Sequence, residues 1–457
     1  MRLTGPRDTI YAPATPAIRS AIAVIRVSGP QAGRALCDIA GGLPAPRLAR
    51  LARLRVPATG EILDQALVLW FPGPHSETGE DMAEFQVHGG RAVVAGVLDS
   101  LASLPGFRLA QPGEFARRAF ENGKLDLTAI EGIADLVAAE TGAQRRLALR
   151  QLTGELDRLY EGWRARLMRA LAHVEALIDF PEEGLPGDLA HNLLLDINAL
   201  SVELRGHAED RRGERVREGL AVAIVGPPNA GKSSLLNALV GRELALVSAL
   251  PGTTRDVIEA VLDLDGFPVT LADTAGLRET DEAIEREGVR RALARAAAAD
   301  LRLVVVDAGG DGLVPAMVEV SGGGRDIVVV SKIDLGGVVV PEMLRKCSAE
   351  VIGISVVTGA GLGELRARLV AAAREAMETG EAAVLTRARH REAVVAALEA
   401  LVRCRTRLTT SGDNPGVELE LLGEDLRLAV RSIGRITGRV DVEDMLDLVF
   451  RDFCIGK

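Results

Sequence analysis

A chain of 457 residues is longer than one hydrophobic core organises, and its length points to about three domains. With 47% hydrophobic and 26% charged residues it reads as globular, and a net charge of −10 excludes a whole-molecule basic field for nucleic acid, so any RNA contact has to be a local patch. The four cysteines, Cys37, Cys347, Cys404 and Cys454, form no C-x-x-C pair, which argues against a zinc site or disulfide framework and for a reduced, cytoplasmic chain.

The opening MRLTGPRDTIYAPATP lacks the apolar stretch of a signal peptide, and no run approaches the roughly 20 apolar residues of a membrane span. Residues 1–120 mix short strands with modest helices; AIAVIRV (21–27) and QALVLWF (65–71) are the clearest strands. From about 121 the pattern turns helical. Leu152, Leu156, Leu159, Trp163, Leu167, Leu171, Val174 and Leu177 recur at steps of three and four and predict one long stripe ended by DFPEE (179–183). A second helix is expected at about 191–210, and the charged run EDRRGERVREG (209–219) reads as a solvated helix end at a domain boundary, with an RNA contact as the less favoured alternative. Across 218–380, LAVAIVG, FPVTLADT, LRLVVVDA, DIVVVSKID and VIGISVV alternate with helices, as in a parallel sheet covered on both faces. After 385 the chain is helical again, so the segments 121–217 and 381–457 flank the α/β unit 218–380 as two parts of one domain around an insertion.

GPPNAGKSS (226–234) follows a strand and opens a helix, the context a phosphate-binding loop needs. Its backbone N–H groups from Gly226 to Lys232, Asn229, Ala230 and Gly231 among them, wrap phosphates, Lys232 neutralises β/γ oxygens, and Ser233, next to Ser234, offers a hydroxyl to Mg²⁺. SALPGTTRD supplies Ser248, Ala249, Leu250, Pro251, Gly252, Thr253 and Thr254, the last a second Mg²⁺ ligand. DTAG offers Asp273, Thr274, Ala275 and Gly276 to the metal-bound water and the γ-phosphate. SKID places Lys332 and Asp334 at a strand end, where the carboxylate selects guanine over adenine; Ser331 replaces the more usual Asn or Thr. ISVVTGAG adds Ser355. Order and spacing together predict a GTPase domain.

Many GTPases place a water-orienting glutamine after D-x-x-G, but Leu277 stands here. Two features can substitute. Asn229, with Ser248, Leu250 and Thr253, can hold a K⁺ whose charge replaces an arginine finger, or Asn229 can simply shape the loop. The acidic run ETDEAIERE offers Glu279, Asp281, Glu282, Glu285 and Glu287 to a water, or forms a solvated helix start.

Over its whole length the sequence resembles the MnmE (TrmE) family of tRNA-modifying GTPases. The resemblance rests on DTI (8–10), IRVSGP (25–30), FPGPHSETGEDMAEFQVHGG (71–90), PGEFARRAFENGKLDL (112–127), DFPEE (179–183) and FCIGK (453–457). It implies an α/β plus α architecture: an α+β folate-binding-like, dimerising N-terminal domain, then a Ras-like P-loop GTPase domain inserted in a discontinuous helical domain. It further implies K⁺ binding through Asn229, Ser248, Leu250 and Thr253, and Glu285 as the catalytic water-orienting residue. Binding of 5-formyltetrahydrofolate is implied through Arg26, Glu84, Lys124 and Lys457, with Cys454 a candidate substrate-site thiol. The implied activity is modification of carbon 5 of the tRNA wobble uridine by a homodimer working with the flavoprotein MnmG, Mg²⁺ and GTP. One departure is local: where the family has a glycine-rich turn, Ala17, Ile18, Ser20 and Ala21 remove left-handed conformations and add bulk near the folate site. The rival reading is a GTP-timed ribosome-assembly or RNA-binding switch, although no RNP1-like or G-x-x-G module accompanies the G motifs.

Overall fold

The computed structural model describes residues 8–16, 18–179, 187–227, 229–242, 245–246, 259–273, 299–309, 325–336, 350–380, 382–409, 415–440 and 456. In chain order these form β1 (Thr9–Pro13), β2 (Ser20–Ser28), α1 (Ala32–Ala40), β3 (Arg50–Arg55), β4 (Ile62–Phe71), β5 (Met82–Gly89), α2 (Arg91–Ala102), β6 (Phe107–Leu109) and α3 (Glu114–Glu121). The helices α4 (Leu127–Ala138), α5 (Gly142–Leu152), α6 (Glu155–Asp179), α7 (Gly187–Glu209) and α8 (Arg212–Glu218) follow. Next come β7 (Leu220–Val225), α9 (Lys232–Arg242), β8 (Ala245–Leu246), β9 (Glu259–Leu264), β10 (Phe267–Asp273), β11 (Leu301–Asp307), β12 (Arg325–Ser331) and β13 (Glu350–Gly353). The chain ends on α10 (Leu362–Met377), α11 (Ala388–Thr409) and α12 (Pro415–Thr437). It divides into two compact units, 1–134 with 151–169 and 427–457, and 135–150 with 170–426.

The first unit is built on a six-stranded sheet of order β3-β4-β5-β2-β1-β6, antiparallel except where β1 meets β6. Its strands alternate. Ala23, Ile25, Val27, Leu54, Val68, Trp70, Phe85 and Val87 bury one face together with α1 and α2, and Arg26 and Glu84 take the other. The expected strands at 21–27 and 65–71 are present within β2 and β4. At the departure noted above, register shifts between Ser20 and Ala23, and Ile18 and Ile22 are exposed.

Seven residues of the expected stripe, Leu156 to Leu177, lie on the single helix α6, which ends at Asp179 of DFPEE as expected, and only Leu152 belongs to a separate helix. α5 stops at Leu152, Gly154 takes φ +78°, and α6 starts at Glu155. Glycine adopts that left-handed turn at the least cost, so the helix breaks there although the apolar spacing runs on. Within α6, Leu156, Trp163, Leu167 and Val174 are buried, as is Tyr160, whose ring meets Trp163 edge-on at 5.6 Å.

In the second unit a seven-stranded sheet runs β13-β12-β11-β7-β10-β9-β8, parallel from β13 to β10 and antiparallel beyond. The continuous apolar runs are explained by burial on both faces. Ile224, Leu303, Val305, Ile327 and Val329 pack with Leu235 of α9 and Leu365 of α10, while Val304, Val306, Val328 and Val330 form a cluster of their own. The charged run 209–219 is ion-paired rather than merely solvated: Arg212 meets Asp210 at 2.7 Å, Arg215 meets Asp300 at 3.0 Å and Arg217 meets Asp135 at 3.1 Å. Asp135 also accepts Arg387 at 2.8 Å, so one carboxylate holds the segments that enter and leave the inserted sheet.

Candidate functional site

The parallel strands end where the chemistry starts. β7 closes on Gly226, at φ +155°, where a Cβ would collide with the carbonyl oxygen of Val305 on neighbouring β11. Asn229 follows at φ 62°, a left-handed conformation that asparagine tolerates better than most side chains, and Gly231 takes φ +96°. Lys232, 8% exposed, opens α9 and donates from Nζ to the carbonyls of Gly226 and Pro227, both at 2.9 Å. Its ammonium therefore stands on the loop itself. Ser233 and Ser234 are exposed in the first helical turn. A loop turned by Gly226 and Gly231, an ammonium on its rim and a helix N-terminus fit a phosphate with its Mg²⁺.

β12 delivers the second half of the site. The buried Ser331 hydroxyl reaches the Ala230 carbonyl at 2.5 Å and the Val306 carbonyl at 3.2 Å, tying the base-reading strand to the phosphate loop. The replacement of Asn or Thr by Ser therefore keeps a structural hydrogen bond. Lys332, at φ 59°, donates to the Asn229 carbonyl at 3.0 Å and to Asp307 Oδ2 at 2.6 Å. That bond from Lys332, helped by the Gly309 N–H, holds Asp307 below the usual carboxylate range. Asp334 is exposed just beyond. Ser355 is fully buried; its hydroxyl accepts the Thr358 N–H at 3.1 Å and its carbonyl the Gly359 N–H at 2.9 Å, which fixes the last loop. Asp273 closes β10 in register with Ile224 of β7, two residues before Gly226. Asp307 was missed in the sequence, where its only signal is an acid ending the apolar run LRLVVVD.

On the face of the first sheet opposite its main core, Arg26 and Glu84 are cross-strand partners, with Nε to Oε1 at 3.2 Å. Arg26 also pairs with Glu77 at 2.9 Å, and Lys124 donates to the Pro74 carbonyl at 2.9 Å, so loop 74–77 gathers both cations. Arg26 is thus already matched, and an anionic ligand would have to replace Glu77, which is 42% exposed, before Glu84, which is 16% exposed. Beneath the loop, buried Arg118 joins Glu80 and Glu114, each at 3.0 Å. Burial would raise the Glu114 carboxyl, but hydrogen bonds from Arg108 and the Gln111 N–H, with Arg118 adding its charge, hold it at about 2. Gly456, at φ +99°, lies against Pro13, where a Cβ would collide with the carbonyl oxygen. The C-terminus is thereby anchored beside β1, the neighbour of Arg26 on β2. Lys457, Cys454, Glu285, Ser248, Ala249, Leu250, Pro251, Gly252, Thr253, Thr254, Thr274, Ala275 and Gly276 lie outside the described residues.

A parallel sheet with a glycine loop between its central strand and α9, clasped by Ser331 at the end of β12 and by Lys332 just beyond it, defines a P-loop GTPase domain. The rest of the chain gives the family. The MnmE helical domain profile matches residues 127–454, and that of the GTP-binding protein TrmE N-terminus matches 9–124. A tRNA modification GTPase MnmE of Parvibaculum lavamentivorans is 57% identical over 98% of this chain and 100% of its own. Its counterpart in Rhodospirillum rubrum is 52% identical over 98% and 99%. The chain belongs to the MnmE family and is a GTPase. The solved G domain of the T. maritima FeoB iron transporter matches 34% of this chain and 98% of its own at 30% identity, with a TM-score of 0.27. No helix among the described residues is long and apolar enough to cross a membrane.

Proposed function

We propose that this chain hydrolyses GTP to drive, with the flavoprotein MnmG, the modification of carbon 5 of the wobble uridine in certain tRNAs, adding a carboxymethylaminomethyl-type group. The observation that carries the reading is the 57% identity over 98% of this chain and the full length of a tRNA modification GTPase, because a match that long extends well beyond the G motifs. In this reading Lys232 neutralises the β/γ-phosphate oxygens, and Ser233 and Thr254 hold Mg²⁺. Asn229, Ser248, Leu250 and Thr253 hold K⁺, which supplies the positive charge that an arginine finger supplies elsewhere. Asp334 reads guanine, and Glu285 orients the attacking water when two G domains of a homodimer meet. Arg26, Glu84, Lys124 and Lys457 hold a reduced folate: the cations take its carboxylates and Glu84 accepts pterin N–H groups. The domain division 1–120, 121–217, 218–380 and 381–457 and a cytoplasmic location belong to the same reading.

The test is genetic and chemical. Deleting the gene should leave the wobble uridine without the group, and re-expression should restore it; full modification in the deletion strain would contradict the proposal.

A further inference from the structure

The segment Arg427–Arg439, RLAVRSIGRITGR, holds four arginines at steps of four and not one acid, in a chain whose net charge is −10. Like charges at that spacing share a helix face and destabilise the helix. Favourable placement at a helix C-terminus accounts for Arg435 in the last turn of α12 but not for Arg431, while Arg427 is engaged within the fold. Arg439 is paired, with Glu161 at 2.8 Å. Arg431 and Arg435 are exposed and have no partner among the described residues.

The neighbouring helix adds to the same face. A methyl on Gly434 would stand 3.9 Å from Arg164 Nε, and Arg439 reaches back to Glu161, so α12 and α6 run antiparallel here. At 100° per residue, Arg431 and Arg435 lie about 60° and 100° to one side of Gly434, and Arg158 and Arg169 about 120° and 140° to the same side of Arg164. In an antiparallel pair, equal senses of rotation open onto one common face. Arg158 is exposed and donates to the Thr153 carbonyl at 3.0 Å. Arg169 is exposed and has no partner among the described residues. The opposite side of α6 is buried through Leu156, Tyr160, Trp163 and Leu167, so the arginines cannot turn inward.

We infer that Arg158 and Arg169 of α6 with Arg431 and Arg435 of α12 form a basic strip that binds the phosphate backbone of the RNA substrate. The inference rests on the proposed function for the identity of that RNA, and supplies the local patch that an acidic protein needs to hold a polyanion. Guanidinium groups grip phosphates bidentately, and rises of about 6 Å from Arg431 to Arg435 and about 16 Å from Arg158 to Arg169 suit an extended chain of charges better than a single acidic side chain on a protein.

The test is equilibrium binding of an unmodified tRNA transcript to the full chain in rising sodium chloride at fixed potassium. The double variant Arg431→Gln/Arg435→Gln should weaken binding on the order of tenfold and flatten the plot of log K against log salt by roughly 1 to 2 units. Arg169→Gln, on the other helix, should flatten it by about half as much. GTP turnover without tRNA and thermal stability should stay at wild-type values. Unchanged affinity and slope in the double variant, with the wild type binding normally, would overturn the strip and leave the proposed function standing. Wild-type protein that binds no tRNA at any salt would sink both. Unchanged tRNA binding with a lower melting temperature would overturn the strip by showing that the arginines pair within the fold; unchanged tRNA binding with lost capture of the flavoprotein partner would show that they face an acidic protein instead.

Discussion

The two sheets keep their chemistry in different places. In the second unit β7, β11 and β12 are packed on both faces, with the Arg302–Asp326 ion pair at the far ends of β11 and β12 from the site, and the described candidates of the nucleotide site come at or beyond strand ends, among them Gly226, Lys232, Asp307, Ser331, Lys332 and Ser355. In the first unit one face of the sheet is free of the main core, and Arg26 and Glu84 project from mid-strand. A site at strand ends is assembled by loops and is sensitive to backbone geometry. A site on a strand face is assembled by register and is sensitive to side-chain charge. Substitutions in the two units should therefore fail differently.

Backbone comes first. Gly226→Ala forces a Cβ against Val305 and should cost about 3 kcal/mol or more in denaturant unfolding of the second unit, with GTP binding lost. Charge follows in the first unit. Glu114→Gln should cost about 2 kcal/mol at pH 7, because it leaves Arg108 and Arg118 without their shared carboxylate. The folded carboxyl titrates at about 2, below an unfolded glutamate, so the wild-type advantage is complete above about pH 5 and should shrink as pH falls from there toward 2. Unfolding curves of both proteins across that range check the sign.

Ser331→Ala removes the hydroxyl between Ala230 and Val306 and should cost about 1 kcal/mol, with GTP and GDP weakened alike on the order of tenfold. Ser331→Thr, which keeps the hydroxyl, should recover most of both. The smallest effect on stability is expected at Glu84→Gln: within about 0.5 kcal/mol by thermal melting, yet with reduced-folate affinity down on the order of tenfold and GTP turnover unchanged. If instead Glu84→Gln unfolds the first unit, its role is to match Arg26 and not a ligand.

Legibility tracked the same contrast. The strands of the second sheet were readable because double burial leaves uninterrupted apolar runs, and the phosphate loop because its glycines and lysine are local in sequence. β3, RLARLR, is hard to read because half its residues are charged and Leu51 and Ala52 stand side by side, so that only its burial, with Ala52 and Leu54 inward and Leu51 outward, alternates. The break between α5 and α6 was hidden because Gly154 interrupts the backbone without interrupting the apolar spacing. Arg26 and Glu84 lie 58 positions apart, so only the family resemblance could join them before register was known. Glu77, the second partner of Arg26, sits among several loop acids that no pattern distinguishes.

Asn229 decides the rest, because its left-handed backbone gives it a structural reason to be there that has nothing to do with a cation. Alanine would strain that backbone; glycine would not. The direct measurement is GTP turnover in potassium and in sodium for the wild type and Asn229→Gly, with nucleotide affinity followed in parallel. We expect the wild type to be on the order of tenfold or more faster in potassium, and the variant to lose that difference while binding nucleotide within about twofold of normal. Equal wild-type rates in the two salts, or a variant that keeps the potassium advantage, would contradict the account.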